Sequence, residues 1–127
     1  MKKSLVLEAE KYLDQLYSDL SEELKFEKSG EEFFRRMQWQ IRRNNNAVLG
    51  AIKLALGAWL YSKDEGKFNC ALDLIDELQA VEHINAVEEI KREMIAGKSR
   101  WSSDAYLDYI NVVLNSLKKA SSKGTSV

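Results

Sequence analysis

No proline occurs anywhere in the 127 residues, and the glycines fall mostly at breaks between stretches of helical periodicity. Proline removes a backbone donor and stops a helix, so its absence lets long helical segments form without interruption. Leu5, Ala9, Tyr12, Leu13, Leu16, Leu20 and Leu24 recur at three- and four-residue spacing, which predicts an amphipathic helix over about 4–27. Ser29 with Glu32 forms a capping box that opens a second helix over about 31–44. A third helix runs through the apolar stretch to about Lys63 and stops near Asp64-Glu65-Gly66. Asn69 is placed to cap a fourth over about 70–80, and Asn85 with Glu88 to cap a fifth over about 86–96 that Gly97 ends. Ser102 is placed to cap a sixth, with Trp101 and Tyr106 as a hydrophobic staple. The expected class is all-α, about six antiparallel helices in a compact bundle or a short stack of helical hairpins. One domain is expected over 1–117, with 118–127 as a disordered polar tail.

The third helix predicts how the others pack. Ala47, Gly50, Ala51, Ala55, Gly57 and Ala58 fall on one side of a helical wheel; Val48, Leu49, Ile52, Leu56, Trp59 and Leu60 fall on the other. A small face admits a neighbouring backbone and a large face fills a core, so this helix is expected to be covered on both sides. Gly50→Leu would then overpack it, at a cost of roughly 1–3 kcal/mol.

Composition excludes several classes. Apolar residues are 45% and charged residues 31%, a globular rather than a disordered profile. The run from Ala47 to Tyr61 contains Lys53 and is shorter than the roughly 20 residues that span a bilayer. Acidic residues interrupt the N-terminal apolar run too early for a signal peptide, so no membrane association and a cytoplasmic location are expected. The single cysteine, Cys70, sits among apolar residues and suits a core thiol in a reducing compartment. The single histidine, His83, has no second ligand at helical spacing and suits a partly buried turn. No Gly-rich phosphate loop is present. No catalytic residue, cofactor or metal site is expected, and the chain is not expected to be an enzyme.

A resemblance enters at the turn after the third helix. Leu56-Gly57-Ala58-Trp59 followed by Gly66-Lys67-Phe68-Asn69-Cys70-Ala71-Leu72 resembles the helix–turn–helix of a tetratricopeptide repeat. The turn is two residues longer than in that family and no proline closes the unit. Gly30, Gly66 and Gly97 echo a repeat at uneven spacing. The resemblance implies stacked helical hairpins that bind other proteins. In size, helicity and clustered acidity the whole chain also resembles the small immunity proteins of bacterial toxin–immunity systems, which bind and block a cognate toxin, often a nuclease.

Two surfaces are candidates for such binding. The net charge of −1 hides alternating blocks: −3 over 1–24, +5 over 25–63, −6 over 64–93 and +3 over 94–127. In FFRRMQWQIRRNNN, Phe33, Phe34, Met37 and Ile41 share a core-facing arc, and Trp39 lies opposite among Arg35, Arg36, Arg42 and Arg43. Tryptophan and arginine are the residue types enriched at binding hot spots. The alternative is that a further helix covers Trp39, or that arginine stems stack on it. The acidic candidate is Asp73, Asp76 and Glu77, followed by Glu82 and Glu89. It could dock a basic toxin domain, or be no more than a solvated helix face. The partner-binding candidates are therefore Asp73, Asp76, Glu77, Glu82, Glu89, Arg35, Trp39 and Arg43. The partner is expected to be another protein. The alternatives are a small nucleic-acid-binding or regulatory protein using the Arg/Trp helix, against which the flanking acidic blocks weigh, and an oligomerising adaptor.

Overall fold

The computed structural model describes residues 2–25, 30–99, 101 and 103–125. They form helices α1 (Lys2–Glu23), α2 (Gly30–Arg42), α3 (Asn46–Leu60), α4 (Glu65–Glu77), α5 (Ile84–Ile95) and α6 (Asp104–Thr125), with a single 3-10 turn at Val81–His83. No strand occurs among the described residues. The class is all-α, and the helices fall into two compact units, residues 1–59 and residues 60–127.

In the first unit the apolar spacing is spent as expected. α1 buries Ala9, Leu13 and Leu20, α2 buries Met37 and Ile41, and α3 buries Ala51, Ile52, Ala55, Leu56 and Trp59. Tyr17 joins all three helices: its ring meets Phe33 edge-on at 5.1 Å and Trp59 at 5.5 Å. The buried Trp59 indole N–H donates to Asp14 Oδ1 at 2.9 Å, which satisfies its one polar atom. The three asparagines after α2 build the turn. Asn44 Nδ2 donates to the Ile41 carbonyl at 3.0 Å and to the Tyr12 hydroxyl at 3.3 Å, closing α2 against α1. Asn45 Oδ1 accepts from Val48 N–H at 2.9 Å and caps α3.

The expectation that α3 is covered on both faces is corrected. Ala47, Gly50, Leu54 and Ala58 form an exposed stripe along it. A Cβ at Gly50 would meet nothing within 4 Å, so close packing is not why glycine stands there. The capping box at Ser29 lies outside the described residues.

In the second unit the helix starts differ from those expected. α4 begins one turn earlier than Asn69, because Asp64 has extended backbone (φ −89°, ψ 113°) and accepts from Lys67 N–H at 3.2 Å. Asn69 is inside the helix, where its amide donates to the Tyr106 hydroxyl at 2.9 Å. Asn85 likewise lies within α5, whose first residue follows His83 with no side-chain cap. Gly97 ends α5 as expected. It adopts φ +72°, and Gly97 N–H and Lys98 N–H return to the Met94 and Glu93 carbonyls at 3.1 and 2.8 Å. Ser102 is outside the described residues; Ser103 Oγ accepts from Tyr106 N–H at 3.1 Å and starts α6. α6 continues through Lys118 to Thr125, into the stretch expected to be disordered.

The core of this unit contains Phe68, Leu72 and Ile75 of α4, Val87, Ile90 and Met94 of α5, and Ile110, Val113 and Leu117 of α6. Polar bonds stitch α4 to α6 along one edge. The Tyr106 hydroxyl donates to Glu65 Oε2 at 2.5 Å while its ring meets Phe68 edge-on at 5.7 Å. The Tyr109 hydroxyl donates to Asp73 Oδ1, and just beyond α4 Gln79 Nε2 donates to Ser116 Oγ at 3.0 Å.

Candidate functional site

The arginine–tryptophan surface belongs to the first unit. Met37 and Ile41 are buried, which turns the opposite side of α2 outward and leaves Trp39 58% exposed. The Arg43 guanidinium lies 4.6 Å from the centre of the Trp39 ring. No hydrogen bond to the Trp39 indole N–H occurs among the described residues. The two arginines preceding it are held by carboxylates. Arg35 pairs with Glu32, and Arg36 pairs with Glu32 at 3.0 Å and Glu23 at 2.7 Å. Those bonds from Glu32 and Glu23 raise the Arg36 guanidinium above its ordinary pKa. Its charge is thereby partly neutralised by groups of the same unit. The open ends of the surface are the tryptophan and the arginine stacked on it.

The acidic candidates belong to the second unit, and they do not form one open patch. Asp73 is half-buried against α6. Burial is the main force pushing its carboxyl above the usual carboxylate range, nearby Asp76 adds to the rise, and the bond from Tyr109 opposes it. Burial and that same bond push the Tyr109 phenol up as well. Asp76 is half-buried, Glu77 and Glu82 are exposed, and exposed Glu89 is paired with Arg92, whose Nη2 lies at 2.5 Å. Glu88 pairs with Lys118 at 3.3 Å. Spacing on α4 brings Asp73 near Asp76, but the fold turns Asp73 toward Tyr109 and leaves Glu77 to solvent.

Cys70 is buried, and burial with the nearby Asp73 charge pushes its thiol up to about 12. A thiol held there stays protonated at neutral pH and is a poor nucleophile. His83 is buried, with 8% exposure, in the 3-10 turn. Among the described residues no group of three or more histidine, cysteine or carboxylate side chains is placed to hold a metal ion. No helix among them is long and apolar enough to cross a membrane.

One concavity was not expected from the sequence. A cleft of about 470 Å³ opens in the second unit between Tyr61, the α4 residue Phe68, the α5 residues Ile90 and Glu93, and Lys98, Ser99 and Trp101 beyond it. Its elements are far apart in sequence, so no local motif could announce it. The available signal was Trp101 standing four residues after a helix-ending glycine, which places an aromatic ring back over the helix end. Comparison with protein-family models, with curated proteins and with solved structures finds no match to the chain.

Proposed function

We propose that the chain is a non-catalytic protein-binding module whose docking residue is Trp39. The observation that carries this reading is the 58% exposure of Trp39 beneath the Arg43 guanidinium, in a unit that buries Trp59 and packs Tyr17 between two rings. A tryptophan offers roughly 200 Å² of side chain, so covering the exposed part would contribute about 3 kcal/mol at ~25 cal/mol/Å². That is the scale of an interface hot spot. Nucleic acid is the weaker partner class, because Arg35 and Arg36 are engaged by Glu32 and Glu23 rather than open to phosphates. The likeness in overall profile to immunity proteins favours a toxin domain as the partner, and neutralisation by occlusion as the mechanism. A second reading, docking of a basic domain on Glu77, Glu82 and Glu89, is favoured by the net −6 of residues 64–93.

The test compares wild type, Trp39→Ala and the triple charge reversal Glu77→Lys, Glu82→Lys, Glu89→Lys. Each is used to capture protein from the native host, and the captured partner is then purified and titrated. Trp39→Ala is expected to weaken that partner by about 100-fold, mainly through faster dissociation. The charge reversal is expected to leave binding near the wild-type level. The opposite pattern transfers the site to the acidic surface. Full binding by both variants removes both surfaces.

A further inference from the structure

The cleft of the second unit is independent of Trp39 and has a chemistry of its own. Its floor is apolar: Phe68 and Ile90 are 1% and 4% exposed. Two further aromatic rings belong to its lining, Tyr61, which is 64% exposed, and Trp101, which is half-buried. Glu93 and Lys98 complete it with opposite charges. The turn at Gly97 is what brings these two into one cleft, since Lys98 N–H bonds back to the Glu93 carbonyl at 2.8 Å and the chain reverses over the end of α5. The two side chains make no ion pair with each other, and neither has a side-chain partner among the described residues. Among the described residues the cleft thus holds an anion and a cation, neither of them ion-paired, beside three rings. Its volume of about 470 Å³ lies in the range of small-molecule sites, roughly 300–1,000 Å³.

We infer that this cleft binds a free aromatic amino acid. The ring of such a ligand would lie on Phe68 and Ile90 between Tyr61 and Trp101. Its ammonium would meet the Glu93 carboxylate and its carboxylate the Lys98 ammonium. A ligand with one charge would leave the other cleft charge unanswered, and a purely apolar one would leave both. The zwitterion answers both, and the aromatic lining selects a flat side chain over an aliphatic one.

L-Phenylalanine is the first probe because it scarcely contributes to tryptophan fluorescence, so emission can report on Trp101; L-tyrosine and L-tryptophan follow by calorimetry. Phenethylamine lacks the carboxylate and 3-phenylpropionate lacks the ammonium. Saturable binding of at least one amino acid is expected, with each singly charged analogue weaker by about tenfold or more. Glu93→Gln should weaken the amino acid by a similar factor while leaving 3-phenylpropionate as tight as before or tighter, and Lys98→Met should show the mirror pattern with phenethylamine. Both are solvent-accessible substitutions, and circular dichroism confirms the fold of each. Trp101→Phe should retain binding while abolishing the fluorescence change. Three results overturn the inference: no saturable binding of any of the three amino acids up to about 10 mM, which lies beyond the weakest affinity such a site would be expected to show; equal affinity for the analogues; or unchanged affinity in both charge variants.

Discussion

Gly50→Ala should raise stability, and the size of the rise follows from where the glycine stands. It lies inside α3, away from either end, on the exposed stripe with Ala47, Leu54 and Ala58. A Cβ there meets nothing within 4 Å, so alanine brings no clash to set against its gain. Alanine is better than glycine in a helix interior by about 0.8–1.0 kcal/mol, partly because it restricts the unfolded chain. At about 2.1 cal/mol/K per residue, unfolding of the whole chain as one unit carries roughly 270 cal/mol/K, and the gain becomes a rise in Tm of about 3–4 °C. If residues 1–59 unfold by themselves the entropy is about half as large, and that transition should rise by about 6–8 °C while the other stays in place. Scanning calorimetry on wild type and variant reads both the size and the number of transitions. Gly50→Leu should also be stabilising or neutral, contrary to the overpacking expected from the wheel alone. A fall in Tm for Gly50→Ala would refute the argument, since it would mean that something covers the stripe.

Three further outcomes are expected. Asp73→Asn keeps an acceptor for the Tyr109 hydroxyl and removes a charge whose folded-state pKa is raised by burial. A raised carboxyl contributes stability that is present below the unfolded pKa of about 3.9 and lost as pH rises through the folded pKa. The variant should therefore gain on wild type as pH rises from about 4 in paired urea melts, and a difference that is flat or falls with pH would contradict this. Gly97→Ala places a side chain on φ +72° in open space, so it should lower stability by about 1 kcal/mol from conformation alone, read by urea melts, with Gly97→Asn losing less. Asp64→Ala should cost about 1 kcal/mol by removing the α4 cap, whereas Asn69→Ala should act through its lost bond to Tyr106 and be nearly silent in a Tyr106→Phe background; a double-mutant cycle decides between them.

What the sequence made legible was the part governed by local periodicity. Six helices, the inward arc of α2 on which Met37 and Ile41 are buried and Phe33 and Phe34 half-buried, and the stop at Gly97 all depend on residues within a turn or two of one another. The helix starts were less legible because polar residues suited to capping are abundant. Asp64 and Asn69 both qualify by type, and only the extended backbone at Asp64 decides between them. The chain spends Asn69 on Tyr106 instead, a bond spanning 37 positions that no local rule can see. The asparagine run after α2 has the same ambiguity, resolved by Asn44 closing one helix and Asn45 opening the next.

The candidate sites show the same limit in sharper form. A helical wheel can say that Asp73, Asp76 and Glu77 lie near one another, but it cannot say which neighbour approaches from outside. Tyr109 does so at Asp73, and a residue that looked like part of a docking surface becomes a link between α4 and α6. Trp39 was ambiguous for the same reason in reverse. The pattern allowed a covering helix or an open surface, and Trp39 is 58% exposed with the Arg43 guanidinium over its ring. Single exposed apolar residues are ordinary, and Ile95, Tyr61 and Val112 are as exposed as Trp39; what sets Trp39 apart is its residue type and the arginine stacked on it, whereas exposure of a carboxylate is the ordinary state of that group. An exposed tryptophan therefore weighs more as evidence of a partner than a cluster of acids does, even where the acids carry the larger charge. The cleft at the end of α5 follows the same logic: Glu93 and Lys98, without an ion pair among the described residues, would each be unremarkable on an open surface, and they become informative only beside Phe68, Tyr61 and Trp101.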